Sequence, residues 1–245
     1  MRDSWEEASS WYDKIVGDEG HYYHTHVILP ALKNILKDAS SVLDVGCGQG
    51  VLARHIPKDS TYFGIDASPS LIKAAKEKSP ANCAFQVVDA CKPWALKKKD
   101  FAAAVMLLCL QNMADPDKAL LYTSEHLVAG GELVIVLNHP FFRIPRQTSW
   151  GIDEPAKLQY RRVNSYMSPL KIPIQTHPGH KTGETWSFHH SLADFSSMLS
   201  SAGFGITHIE EWCSDKTSQG PHKGREDRAR KEFPLFMTLI CQKLS

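Results

Sequence analysis

The stretch Val42-Leu43-Asp44-Val45-Gly46-Cys47-Gly48-Gln49-Gly50 (VLDVGCGQG) sets three glycines within five residues, directly behind an apolar run. A strand that ends in such a turn lets a ligand come close to the backbone. A dinucleotide turn needs G-x-G-x-x-G or a final alanine. Counted from Gly46, the third small residue is replaced by Val51. No Lys-Ser/Thr pair follows, so a triphosphate P-loop is excluded as well. The frame is Asp44-x-Gly46-x-Gly48-x-Gly50, and its ligand must be sought in the surrounding chain.

Outward from this turn, β-type runs recur: SVLDV (41–45), TYFGID (61–66), CAFQVVD (83–89), FAAAVMLL (101–108) and GELVIVLNH (131–139). Helical patterns separate several of them: LARHI, PSLIKAAKEKS and DPDKALLYTSEHL. Near-continuous apolar strands alternating with helices predict a parallel sheet covered on both faces. With right-handed crossovers this is a doubly wound, Rossmann-like α/β fold. Residues 4–16 and 21–37 read as helices, with Pro30 near a start or a kink. Residues 191–202 read as another helix, followed by FGITHIEEW and PLFMTLICQKL, which can add an antiparallel hairpin at the sheet edge. The expectation is a single domain with a mostly parallel seven-stranded sheet. Its parts are N-terminal helices (1–38), a cofactor-binding core (39–139), a cap inserted after strand five (140–188), and a C-terminal helix with antiparallel strands (189–245).

The segment 140–188 departs from this rhythm. It holds six prolines together with Trp150, Tyr160, Tyr166, Trp186 and Phe188. It is much longer than an ordinary strand-to-helix connection. Lying after a strand's carboxyl end, where α/β proteins bind ligands, it reads as a lid or pocket wall, with a merely decorative insertion as the alternative. Trp150, Tyr166 and Trp186 are its candidates for substrate contact.

The formal charge of +1 offers no global basic field, which argues against a nucleic-acid partner. Six scattered cysteines form no CxxC. The N-terminal stretch lacks the apolar run of a signal peptide, and no run approaches the roughly 20 residues of a membrane span. A cytoplasmic, reduced protein is expected. HYYHTH and WSFHHS cluster histidines without the spacing or carboxylates of a metal site, so no metal is expected. KGREDRARKE reads as a solvated helix.

Acidic residues at strand ends raise the weight of the glycine turn. Asp66 closes TYFGID, 22 residues after Asp44, where a carboxylate can accept from both hydroxyls of a ribose. Asp89 closes the third strand, where it can accept from an adenine amino group. From Val42 to about Asn138 the chain resembles the class I S-adenosylmethionine-dependent methyltransferases, especially the small-molecule group that includes quinone methyltransferases. The pieces that carry the likeness are VLDVGCGQG, GIDAS, VVDA, and LLCLQNMADPDKAL followed by HLVAGGELVIV. The resemblance implies S-adenosylmethionine as cofactor. It implies that the Gly46-Cys47-Gly48 backbone passes under the methionine part and that Asp44 orients the amino group. It also implies Asp66 on the ribose, Asp89 on the adenine amino group, and Ala90 or Cys91 at the adenine. Leu107 or Leu108 would wall the cofactor, with Gln111 nearby. Where the family has a bulky residue after the ribose acid, this chain has Ala67-Ser68. Trp11, Tyr12 and Tyr22 either close over the cofactor or pack a helix on the domain.

For a general base, His139 follows the fifth strand on the substrate side, and an imidazole titrates near neutral pH. It can equally orient the Pro140 turn. His189 is the second candidate. Asn138, Arg143 and Arg146 are further pocket candidates; the two arginines can hold an anion or tie the insert to the domain. The expected activity is methyl transfer to a small aromatic or cyclic acceptor through O or C. The alternatives are a protein or RNA methyltransferase and a non-catalytic S-adenosylmethionine-binding protein.

Overall fold

The structure, a computed structural model, describes residues 4–96, 99–175 and 184–244. Its main sheet holds β1 (Ser41–Val45), β2 (Thr61–Asp66), β3 (Cys83–Val87), β4 (Phe101–Leu107), β5 (Leu127–Asn138), β10 (Phe204–Trp212) and β11 (Phe236–Lys243). The strand order is β3-β2-β1-β4-β5-β11-β10. The first five strands pair in parallel, whereas β11 runs antiparallel to both β5 and β10. The seven-stranded, mostly parallel doubly wound sheet is therefore present, with the expected hairpin at its edge.

Period-two alternation sorts the strand residues between two cores. Leu43, Val45, Ala104, Met106, Leu133 and Ile135 face one core, which includes Leu120 of α4 (Pro116–Ser124) and Phe195 and Leu199 of α5 (Leu192–Ser201). Val42, Ala103, Val105, Val134 and Val136 face the other, which includes Leu32 of α2 (Leu29–Ile35) and Ile72 of α3 (Pro69–Lys78). Every residue of β1 is buried. That explains why its sequence lacks the polar alternation of a one-sided strand.

Three local expectations change. LARHI forms only a 3-10 turn over Leu52–Arg54. Gly50, at a φ of +78°, and Pro57 leave too short a stretch between them for a helix. Residues 21–37 begin as a π-helical turn at His24–Ile28 before α2. The insert is two antiparallel hairpins, β6 (Thr148–Asp153) with β7 (Leu158–Val163) and β8 (Leu170–Gln175) with β9 (Glu184–His189). An N-terminal helix, α1 (Ser4–Val16), packs on both α3 and β9, and α6 (Lys223–Glu232) packs on β7.

Candidate active site

The glycine turn leaves β1 in a conformation that glycine permits. Gly46 and Gly48 have φ of +74° and +53°. The N–H groups of Gly46 and Cys47 both donate to the Ile65 carbonyl, at 2.7 and 2.9 Å. A Cβ at Gly46 would lie 2.7 Å from the Cys109 Cβ, so no side chain fits there.

Two carboxylates flank the turn. Asp44 is buried, and its Oδ2 accepts from the Tyr62 hydroxyl at 2.5 Å. Its Oδ1 is also buried and has no partner among the described residues. Burial, with a smaller contribution from the charge of Asp66, raises its pKa to about 7. Asp66 Oδ2 accepts from the Gly48 N–H and its Oδ1 from the Ser68 N–H, both at 2.9 Å. The second carboxylate is thereby fixed to the turn itself. After β3, Asp89 accepts from the Cys91 N–H at 3.0 Å and pairs with Lys92 at 2.8 Å. Ala90 beside it is buried.

Sequence reasoning missed Glu6 on α1. It accepts from the hydroxyls of Ser68 and Ser70, which lowers its pKa, and so docks α1 beside Ala67 at the start of α3. Lys78 reinforces the contact through Asp13 at 2.7 Å. No periodicity or motif distinguishes this glutamate from other first-turn acids. The side chains of Trp11 and Tyr12 lie outside the described residues. Tyr22 stacks on His26 and donates to Asp215, which ties it to the loop after β10.

An open cleft lies at the carboxyl ends of β4 and β5, with about 360 Å³ of free space that continues into solvent. Gln111, Asn138 and Arg143 line it from the core side, and Ser187, His189 and His190 from the end of the insert. Gln111 Nε2 donates to the Leu108 carbonyl at 3.0 Å, which fixes the amide orientation. Its Oε1 is buried without a partner among the described residues. Leu107, at the end of β4, packs partly buried against the core that contains Val136. Four substrate candidates do not line the cleft. Arg146 is exposed; Trp150 packs on Phe233 and under Arg161. Trp186 carries the Lys171 ammonium over its ring, at 4.3 Å. Tyr166 stands behind the wall: its hydroxyl accepts from the Leu192 N–H, and its carbonyl from His189.

The two candidate bases differ in their free nitrogen. His139 Nδ1 accepts from the N–H groups of Phe141 and Phe142, at 3.2 and 3.3 Å. Its Nε2–H must then donate to Glu211, at 2.7 Å. Both nitrogens are occupied, burial lowers the pKa, and the residue does not line the cleft. That geometry favours the other reading of His139, a ring that organises the Pro140 turn. In His189, Nε2–H donates to the Tyr166 carbonyl at 2.7 Å. A carbonyl only accepts, so the neutral ring carries its lone pair on Nδ1. No hydrogen bond among the described residues engages that nitrogen.

No helix among the described residues is long and apolar enough to cross a membrane. Among those residues, no group of three or more His, Cys, Asp or Glu side chains is arranged to hold a metal ion.

Residues 42–131 match the family model described as "Methyltransferase domain". The chain is 28% identical over 135 residues to a demethylmenaquinone methyltransferase of Tropheryma whipplei, an alignment covering 49% of this chain and 56% of that protein. It spans between 36% and 56% of the length of the first curated relatives that it matches. An S-adenosylmethionine-dependent methyltransferase from Mesorhizobium loti superposes with a TM-score of 0.67 at 23% identity, covering 87% of this chain and 96% of that one. The glycopeptide N-methyltransferase MtfA, complexed with S-adenosylmethionine, superposes with a TM-score of 0.55 at 17% identity, covering 88% and 93%. Residues 42–131 are thus similar to a methyltransferase domain, and the chain has the fold of the S-adenosylmethionine-dependent methyltransferases.

Proposed function

We propose that the chain transfers the methyl group of S-adenosylmethionine to a small aromatic or cyclic acceptor, through O or C, in the cleft under the end of β9. The observation that carries this reading is that the core and the returning insert line one cleft at the carboxyl ends of β4 and β5. β4 pairs with β1, from which the glycine turn departs.

The residues at the turn fit the cofactor. Asp44 offers a buried, unpartnered oxygen to an amino group. The close approach at Gly46 leaves the backbone bare. Asp66, oriented by two backbone donors, is suited to the ribose hydroxyls, because one carboxylate oxygen can accept more than one hydrogen bond. Asp89 and Ala90 are suited to the adenine. When bound, the cofactor supplies a methyl group already activated by its sulfonium. The protein's task is alignment, exclusion of water and removal of the acceptor's proton. We assign the proton to His189 Nδ1, with the Tyr166 carbonyl holding the ring in the required tautomer. We place the reaction in the cytoplasm, in keeping with six free cysteines.

Calorimetry with S-adenosylmethionine and its demethylated product tests the reading. Both are expected to bind, and Asp66→Ala is expected to weaken them at least ten-fold. Absence of binding by either overturns it. A methyl-release screen against quinones, phenols, peptides and RNA then tests the acceptor class. Transfer confined to peptides or RNA would replace the small acceptor with a macromolecule.

A further inference from the structure

Charge in the cleft is one-sided. Arg143 is the only lysine or arginine among the lining residues, and no Asp or Glu joins it. Its guanidinium is half-buried, and burial lowers its pKa. The one ionisable group that offsets this among the described residues is Tyr23, not a carboxylate. Arginine nevertheless stays charged. A cation held partly out of water without an anion is unfavourable until one arrives. Its backbone is set by the His139 turn, since the Arg143 N–H donates to the His139 carbonyl at 2.8 Å.

Two further polar groups of the cleft ask for a donor, beside Asn138 and Ser187, which can donate or accept. Gln111 Oε1 is a buried acceptor without a partner among the described residues. His189 presents a lone pair on Nδ1 once its Nε2–H is committed to Tyr166. His190, whose pKa burial lowers, adds no charge near neutral pH. The complement of one cation and two acceptors is a molecule with one negative charge and at least one donor.

We propose that the acceptor is a small monoanionic carboxylate that also bears a hydroxyl or amino group, with its carboxylate on Arg143 and its donor toward Gln111 and His189. This deepens the methyltransferase reading and rests on it. A carboxylate matches the planar fork of a guanidinium. A phosphate monoester carries nearly two negative charges near pH 7, and the second guanidinium near Arg143, that of Arg161, lies outside the lining and is committed to the Phe142 carbonyl and the Thr148 hydroxyl. An acceptor neutral at every position leaves the half-buried Arg143 without a counter-charge. Arg146, outside the cleft, has no part in this recognition.

The test is calorimetry on the full chain saturated with S-adenosylhomocysteine. The probes are 4-hydroxybenzoate, salicylate and 3-aminobenzoate, each beside its amide. At least one carboxylate is expected to bind ten-fold or more tightly than its amide. Arg143→Gln is expected to abolish that preference while S-adenosylhomocysteine affinity is retained, which also shows that the variant folds. No preference for any carboxylate, whether from equal binding or from none, overturns the proposal. So does a preference that survives in Arg143→Gln. Failure of S-adenosylhomocysteine to bind the parent protein is a different outcome, and it overturns the methyltransferase reading.

Discussion

The carboxyl rim of the sheet divides into two halves of opposite electrostatic character. Around the ends of β1, β2 and β3 stand Asp44, Asp66 and Asp89, the first two close enough for one to raise the pKa of the other. At the ends of β4 and β5 the lining residues include Arg143 and no acid. A cationic methyl donor suits the first half and an anionic acceptor the second. Each half would repel the other's ligand, which separates the two without any moving part. In the proposed function the difference also separates roles: the acidic half would hold the cofactor, and the cleft half would orient the acceptor and take its proton.

The sharpest way to break this division is His189→Gln. Glutamine can still donate to the Tyr166 carbonyl but offers no basic lone pair. Turnover is expected to fall by about 10²–10⁴-fold, the usual span for a positioned base. The acidic limb of the kcat/KM profile should disappear, and S-adenosylmethionine affinity should stay as it was. Loss of cofactor affinity would mean that the halves are not separate. An unchanged profile would remove the base from His189.

The two halves also differ in how far the sequence reveals them. The acidic half is carried by one continuous run, 42–89, in which strand periodicity, glycines and strand-end acids coincide. Its neighbours in space are near neighbours in the chain, so a local pattern suffices. The cleft draws on Gln111, on 137–145 and on 187–190, brought together only by the return of β9 against the core. Arg143 and Arg146 are equivalent in the sequence FFRIPR, yet only the first lines the cleft. His139 and His189 are likewise distinguished by what their nitrogens touch, which no spacing encodes. Trp150 and Trp186 read as pocket aromatics only if the insert is one continuous cap. As two separate hairpins, it turns these rings toward Phe233 and Lys171 instead. Glu6 was illegible for the same reason, since its partners Ser68 and Ser70 are some sixty residues away.

A second prediction bears on the acidic half alone. The folded pKa of Asp44 is about 7, raised by burial above the ordinary aspartate value. Protonated Asp44 therefore favours the folded state below about pH 4, and this contribution is lost as pH rises toward 7. Asp44→Asn is uncharged throughout and can still accept from Tyr62. At pH 8 it is expected to be more stable than the parent by a few kcal/mol, with the gap closing as pH falls to about 4. Urea unfolding at several pH values measures this. The same variant should bind S-adenosylmethionine more weakly, because the buried anion that meets the ligand's ammonium is gone. A pH-independent gap would show that Asp44 is not titrating in the folded protein. A gain in stability paired with weaker cofactor binding is the signature of a residue kept for its ligand.

The smallest effect is expected at the boundary between the halves. His139→Ala leaves the N–H groups of Phe141 and Phe142 without their acceptor and Glu211 without its donor. Glu211 is largely exposed and recovers water, so the two amides dominate the loss. A destabilisation of about 1–3 kcal/mol is expected, the range for buried hydrogen-bonding groups left unpaired. The turn that sets Arg143 should loosen, raising the acceptor KM several-fold. The acidic limb of the pH–rate profile should remain, because the assigned proton acceptor is elsewhere. This pairs with the first variant as a crossed test: one histidine should alter the profile and the other the stability. If His139→Ala abolishes the acidic limb while His189→Gln preserves it, the two roles are exchanged. The hydrogen bonds to His139 Nδ1 would then have to open during turnover, since that lone pair is the one a substrate proton would need.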